Sequence, residues 1–163
     1  MAAHRIRVAD EVWIATALLH REHGDREDFS IAEIVERAQR ENLTESVLLR
    51  PGVRTHAAQH CVAGKPASPG RYRMLAETSR GRRRLYSSLD RPHRDRVSGK
   101  SLPRSEEIPE EYHHLLDWYR EHFDVKRSDG AEDPILSLRG LGRELWDGQD
   151  PDDYVRRLRE RWE

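Results

Sequence analysis

Cysteine is almost absent from this sequence, since Cys61 is the only one in 163 residues. A single cysteine excludes an intrachain disulfide and is typical of proteins that work in a reducing compartment. Long apolar runs are missing as well, because no stretch approaches the roughly 20 apolar residues that a membrane-spanning helix needs. The N-terminal residues also lack the apolar segment of a signal peptide. We therefore predict a cytoplasmic protein without a membrane partner.

The short patterns of common catalytic sites are also missing. We find no GxxxxGK[ST] loop, no GxSxG turn, no HExxH pair and no D…ExK pattern of a metal-dependent nuclease. The sequence has 9 histidines, and His56 and His60 lie four residues apart beside Cys61. No CxxC pair or nearby carboxylate completes a tetrahedral zinc site there. We predict no enzymatic activity, metal or cofactor. The alternative is an enzyme such as a nuclease, in which acidic residues far apart in the sequence come together in the folded chain.

The net charge is only −1, but the charges are unevenly distributed. Residues 1–49 carry 6 basic and 10 acidic side chains, residues 50–100 carry 13 and 3, and residues 101–163 carry 10 and 17. Within the basic middle, the stretch "TSRGRRRLY" concentrates four arginines: Arg80, Arg82, Arg83 and Arg84. Such a pattern indicates an anionic partner. Arginine–carboxylate pairs formed between the segments are the alternative explanation.

Two helices are predicted in the acidic first third. The stretch "VADEVWIATALLHREHG" has one apolar face at helical spacing, formed by Val8, Val12, Ala15 and Leu19. The stretch "SIAEIVERAQREN" begins with a capping box, because Ser30 precedes Glu33 by three residues. Phe29 and Ile34 are placed to form a hydrophobic staple over the same helix start.

A third helix and a β-hairpin are predicted in the basic middle. The helix lies in "LTESVLLRPGVRTHAAQHCVAGKP", with Val53, Ala57 and Cys61 directed to the core at four-residue spacing. The strand-like runs "RYRMLAE" and "RRRLYSS" are separated by "TSRG", which indicates a hairpin with Gly81 at its tip.

Three helices followed by a hairpin are typical of a winged helix-turn-helix, so we predict a mainly α fold with a small β-hairpin. In that fold the third helix enters the DNA major groove and the hairpin follows the phosphate backbone. The predicted base-reading residues are Arg54, Thr55, His56 and Gln59. The predicted phosphate-binding residues are Arg71, Arg73, Arg80, Arg82, Arg83 and Arg84.

The remaining residues predict a linker and a C-terminal extension. We expect residues 1–89 to form the winged-helix domain, residues 90–108 a polar, mobile linker, and residues 109–163 a helical extension. The extension begins with "PEEYHHLLDWYREHF", whose apolar face is Tyr112, Leu115, Leu116, Tyr119 and Phe123. Its end carries further large apolar side chains: Leu141, Leu145, Trp146, Tyr154, Leu158 and Trp162. These must be buried against their own domain, a second copy or another protein.

Two resemblances to known families add to this interpretation. Residues 8–89, above all "RTHAAQHCVAGKPASPGRYRML", are similar to winged-helix domains of uncharacterised bacterial proteins, including modules attached to restriction-type nucleases. The tail "LRGLGRELWDGQDPDDYVRRLRERW" resembles the C-terminal segment of antitoxins that partner PIN-domain ribonuclease toxins. The second resemblance implies operator binding by the front of the chain and toxin capture by the tail. It also implies that Arg156, Arg157 or Arg159 reaches the toxin's acidic metal site.

The front of the chain departs from those antitoxins, which usually carry a ribbon-helix-helix or swapped-hairpin domain. We therefore predict a sequence-specific DNA-binding protein, a homodimeric transcriptional regulator of double-stranded DNA with a protein-binding tail. An antitoxin or adaptor, whose C-terminal segment binds and neutralises a partner such as a PIN-domain toxin, is the alternative.

Overall fold

Four helices and a small antiparallel sheet make up the described fold, which is therefore of mixed α/β class. A computed structural model of the chain describes residues 6–44, 51–68 and 70–124. The helices and strands are α1 (Val8–Glu22), β1 (Phe29–Ser30), α2 (Ile31–Glu41), α3 (Val53–Thr55), β2 (Leu75–Ser79), β3 (Arg82–Leu85) and α4 (His113–His122). A π-helical turn, His56–His60, continues α3, and residues 53–60 together are called the short helix below. Among the helices of these ranges, none has the length and apolar content of a membrane span.

Helix α1 lies at the centre of the core. The predicted inner positions Val12, Ala15 and Leu19 are buried, but so are Trp13 and Ile14 on other sides of the helix. Burial on nearly all sides follows from the neighbours of α1, because α2, the short helix, β3 and α4 all contact it. A helix that is apolar around most of its circumference is typical of such a central position.

The start of α2 confirms the predicted capping box. The Ser30 hydroxyl accepts a hydrogen bond from the Glu33 N–H at 3.2 Å, and the Glu33 carboxylate accepts one from the Ser30 N–H at 2.8 Å. Phe29 and Ile34, the predicted staple, are both fully buried. Because all these contacts form between residues a few positions apart, the sequence pattern alone was enough to predict them.

The sheet has three strands in the order β1-β3-β2, all antiparallel. The predicted β2–β3 hairpin is confirmed, with Gly81 at its tip in the left-handed region at φ +78°. The additional strand β1 pairs Phe29 with Arg83 and Ser30 with Arg82. A strand of two residues has no periodicity to detect, so the sequence predicted a mainly α fold instead of a mixed one.

Residues 90–108 differ from the expected mobile linker. All described residues belong to one compact unit, which spans Met1–Val125. Within this segment Arg96 and Ile108 are buried. The Lys100 Nζ lies 2.7 Å from the buried Asp10 carboxylate and 2.5 Å from that of Glu107. The side chains of this segment are polar and make specific polar contacts within the fold. The composition of a segment does not show whether its polar side chains make such contacts or are exposed to solvent.

Helix α4 packs on the same core. Of the predicted apolar face, Leu115, Leu116 and Tyr119 in α4 and Tyr112 just before it are buried, and Phe123 just after it is half-buried against the core. The rings of Trp13 and Tyr119 meet edge to face at 5.7 Å. Residues 109–124 were expected to belong to a separate extension for dimerisation or partner binding. Their apolar face is instead used inside the unit that contains α1.

Arg96 connects the segment after the sheet to the end of the short helix. Its guanidinium donates hydrogen bonds to five backbone carbonyls, those of Gln59, His60, Lys65, Pro66 and Tyr72. Two of these, Gln59 and His60, end the short helix, where backbone carbonyls have no partner within the helix. The Arg96 side chain therefore fixes the short helix, the following loop and the approach to β2 relative to one another.

We predict that Arg96→Met destabilises the protein by about 3–5 kcal/mol, because it leaves several buried carbonyls without donors. The matched control is Arg94→Met in the same turn, whose side chain is 91% exposed, with an expected change within about 0.5 kcal/mol. Urea unfolding followed by circular dichroism measures both. Equal stability of the two variants would contradict the structural role of Arg96.

The helix cap predicts a pH dependence of stability. The Arg26 guanidinium, 2.7 Å from the Glu33 carboxylate, together with the Ser30 contacts, lowers the pKa of Glu33 from 4.5 to about 2. Because the folded state favours the ionised form, the contribution of Glu33 is complete above pH 4.5 and is lost as the pH falls towards 2. Between pH 4.5 and about 2, the melting temperature of the Glu33→Gln variant is therefore expected to fall less than that of the wild type. The exposed control Glu36→Gln should melt with the wild-type acid profile.

Candidate nucleic-acid interface

The short helix begins at a backbone position that favours glycine and turns one apolar side to the core. Gly52 precedes it at φ +97°. Val53, Ala57 and Cys61 are fully buried, as predicted. The Cys61 N–H donates to the His56 carbonyl five residues back, so the helix widens into a π turn where the sequence predicted a regular α-helix. Such turns are rare and are frequently found at functional sites.

The outer side of the short helix presents three of the four predicted base-reading residues. Arg54, Thr55 and Gln59 are exposed. His56 is half-buried, and its Nδ1 lies 3.0 Å from the Gly52 carbonyl. Its ring also meets the His60 ring at 4.8 Å. The His56 ring is thus turned back towards the helix start and does not share the exposed side.

Arg83 is the most buried of the predicted phosphate-binding arginines, with 1% of its surface exposed. Its guanidinium donates to the carbonyls of Ala57 and Ala58 at 3.3 and 3.1 Å, and it pairs with Glu77 at 2.8 Å. Lys65 also donates to the Ala58 carbonyl, at 3.0 Å. Arg83 therefore holds the short helix against the sheet and is not available to phosphate.

Arg82 and Arg84 are engaged in ion pairs on the other face of β3. Arg82 lies 2.6 Å from Asp28, and together with the Thr78 hydroxyl it lowers the pKa of that carboxyl. Arg84 binds Asp90 through two hydrogen bonds, at 2.8 and 2.5 Å. The arginine cluster that the sequence assigned to phosphate thus forms mostly intramolecular pairs, which was the alternative explanation of the charge pattern.

The other three predicted phosphate-binding arginines differ in their surroundings. Arg73 is half-buried, donates to the Gly99 carbonyl at 2.8 Å and lies over the Tyr86 ring. Arg71 and Arg80 are exposed, and within residues 6–44, 51–68 and 70–124 their side chains form no hydrogen bond or ion pair. With Arg54 they are the cations of the predicted set that an external anion can reach.

The predicted partner-binding residues of the tail lie outside the described residues. These are Leu141, Leu145, Trp146, Tyr154, Leu158 and Trp162, together with Arg156, Arg157 and Arg159.

Sequence reasoning missed the partners that neutralise the arginine cluster. Asp28 and Asp90 lie 54 and 6 residues away from the arginines that they bind. The basic segment 50–100 has only three acidic residues, and two of them, Glu77 and Asp90, pair with arginines of the cluster. That scarcity was the one available signal, because an isolated acid within a basic segment is a candidate for a specific ion pair.

Two further observations concern metal and thiol chemistry in the described part of the chain. No group of three His, Cys, Asp or Glu side chains is placed there to hold a metal ion. Burial raises the pKa of the Cys61 thiol well above its usual range, which disfavours the reactive thiolate.

Comparisons with known proteins assign the chain to no family, since no protein family model, curated protein or solved structure matches it.

The buried and the exposed arginines are expected to contribute very differently to stability. Arg83→Met should destabilise the protein by about 3 kcal/mol, because it removes the charged donor of the Ala57 carbonyl and leaves Lys65 as the donor of Ala58 and the partner of Glu77. Arg80→Met at the exposed hairpin tip should change stability by less than about 0.5 kcal/mol. Thermal and urea unfolding of the full chain measure both. An Arg83 variant as stable as the Arg80 variant would contradict the structural role of Arg83.

Proposed function

We propose that this protein binds double-stranded DNA in a sequence-specific manner through a winged helix-turn-helix, and that it regulates transcription. The observation that carries the proposal is the short helix, whose inner side is fully buried while Arg54, Thr55 and Gln59 are exposed on its outer side. Arginine can donate two hydrogen bonds to guanine, and glutamine can pair with adenine through its amide. These side chains are suited to reading base edges in a major groove.

The order of elements supports the same proposal. Three helices precede the β2–β3 hairpin, and β1 adds to the free edge of β3. In a winged helix-turn-helix the third helix reads the major groove while the hairpin lies along the backbone. We place the hairpin tip, with its exposed Arg80, at the phosphate backbone.

The phosphate contacts are assigned to only two of the six arginines that sequence reasoning favoured. Arg71 and Arg80 are exposed, whereas Arg82 and Arg84 are held by Asp28 and Asp90. A side chain that must first break a close ion pair gains less from binding phosphate. A homodimer on a palindromic site would place two such surfaces on successive major grooves.

The proposal is tested by binding of the full chain to a random-sequence 30-base-pair duplex, measured by fluorescence anisotropy from about 50 to 300 mM salt. The double variant Arg71→Ala/Arg80→Ala is expected to bind about tenfold or more weakly and to flatten the salt slope by about 2, since each phosphate contact contributes about 0.9. The matched control is Arg21→Ala/Arg120→Ala, which removes the same charge from exposed sites on α1 and α4. It should retain most of the affinity and the slope.

Absence of DNA binding at the lowest salt would contradict the proposed function. Equal losses in the two double variants would contradict the assigned surface. Gln59→Ala separates base reading from phosphate contact, because it should preserve the salt slope and reduce discrimination among sequences selected from a random pool.

A further inference from the structure

The segment that follows the sheet passes directly beside the end of the short helix. The His93 N–H donates to the Ala63 carbonyl, just beyond that helix, at 2.7 Å. In the 3₁₀ turn that follows, Arg94–Arg96, the Arg96 guanidinium donates to the Gln59 carbonyl at 3.2 Å. Gln59 is one of the exposed residues assigned to base reading. Residues 91–96, called the arginine turn below, therefore lie at the edge of the proposed DNA-binding surface.

Contacts on both sides hold the arginine turn in place. Asp90, immediately before it, binds the Arg84 guanidinium at 2.5 Å. Gly99, shortly after it, accepts a hydrogen bond from Arg73 Nε at 2.8 Å. A Cβ on Gly99 would lie 1.6 Å from the Arg71 carbonyl oxygen, so the two backbones approach as closely as they do only because the residue is glycine. The arginine turn is thus a fixed part of the surface between the short helix and Arg71.

Two arginines of the turn are open to solvent. Arg91 is exposed, and among the described residues its side chain has no hydrogen bond or ion pair. The Arg94 side chain is 91% exposed, and its Nε lies 3.7 Å from the Asp95 carboxylate, which is beyond hydrogen-bond distance. An exposed contact of that kind contributes little. Both guanidinium groups can therefore bind an external anion without first breaking a close ion pair.

These two side chains differ from the arginines of β3. Arg82, Arg83 and Arg84 each have a carboxylate partner, at 2.6, 2.8 and 2.5 Å. The arginine turn has no such partner, and a guanidinium keeps its charge at any physiological pH. Arg71, whose carbonyl lies against Gly99, is also exposed. The positive surface assigned to phosphate therefore continues from Arg71 to the arginine turn.

We propose that the arginine turn is a second phosphate-binding element, in which Arg91 and Arg94 contact the DNA backbone beside the end of the short helix. The inference rests on the proposed DNA-binding function and extends the contact surface beyond the hairpin tip. Arginine is suited to this role because its planar group can donate two hydrogen bonds to one phosphate.

Arg96 couples this element to the short helix. Its side chain is directed inwards and holds the Gln59 and His60 carbonyls, whereas the Arg94 side chain of the same 3₁₀ turn is exposed. A phosphate bound by the turn is therefore held at a fixed position relative to the helix end. Contacts to the backbone set the position and orientation of a protein on the duplex. The arginine turn would fix the orientation of the short helix in the groove from its C-terminal end.

The experiment compares the full chain with its Arg91→Ala/Arg94→Ala variant in binding to the same 30-base-pair duplex across the same salt series. The variant should bind about tenfold or more weakly and flatten the salt slope by about 2, because two phosphate contacts are lost. The Arg21→Ala/Arg120→Ala control has the same change in net charge and should retain most of the affinity and the slope. The melting temperature of the variant should equal that of the wild type, since neither side chain has a close contact in the described fold.

A chemical nuclease tests the location of the turn on the duplex. Cys61 is fully buried, so a thiol-reactive iron–EDTA chelate attaches to an introduced, exposed cysteine. Val97 directly follows the arginine turn and is 59% exposed. With ascorbate and hydrogen peroxide, the chelate on Val97→Cys should cleave the bound duplex. The same chelate on Glu121→Cys, at an exposed position of α4, should leave the duplex intact.

The inference and the proposed function fail in different ways. If Arg71→Ala/Arg80→Ala weakens binding but Arg91→Ala/Arg94→Ala does not, the inference is overturned and the proposed function stands. Equal losses in the turn variant and the Arg21→Ala/Arg120→Ala control, or equal cleavage from the two chelate positions, would also overturn the inference alone. Absence of DNA binding by the wild-type chain would overturn both.

Discussion

The short helix depends on basic side chains that bind its backbone carbonyls. The carbonyls at the end of a helix have no partner within the helix, and here the last four accept hydrogen bonds from three side chains. Arg83 donates to those of Ala57 and Ala58, Lys65 to that of Ala58, and Arg96 to those of Gln59 and His60. The donors come from the strand β3, the loop after the helix and the segment after the sheet. A helix of eight residues, too short to be stable alone, is thus fixed from three directions.

This arrangement divides the basic middle of the chain into two functional groups. One group is buried or paired and builds the fold, and Arg83, Arg84 and Arg96 belong to it. The other remains exposed, and Arg54 and Arg80 represent it. The net charge of the segment does not separate the two groups, because a guanidinium contributes the same formal charge whether it binds a carbonyl, a carboxylate or an external phosphate. Only the distances to its neighbours decide which role an arginine has.

The features that the sequence predicted depend on residues close together along the chain. The cap of α2 needs only Ser30 and Glu33, and the hairpin needs a glycine between two strand-like runs. The features that it missed depend on distant residues: β1 exists because Phe29 pairs with Arg83, and the supposed linker is ordered because Arg96 reaches carbonyls 24 to 37 residues away. In the candidate site, the periodicity of the apolar residues was enough to predict which side of the short helix is exposed. The pairing of Arg82 with Asp28 did not, because no local pattern relates residues 54 positions apart.

The contacts of Arg96 have a consequence for the electric field of the protein. In the part of the chain that the structure describes, Arg96 donates to carbonyls and has no carboxylate within ion-pair distance, so its hydrogen bonds are satisfied while its full positive charge is not cancelled. A charge does not have to touch a polyanion to attract it, since at physiological ionic strength its potential extends over roughly 8 Å. Under the proposed DNA-binding function, an arginine that organises the interior would therefore also increase the rate at which the nucleic acid is drawn to the surface above it. Replacing it with a neutral group would then slow the proposed encounter with DNA as well as destabilise the fold.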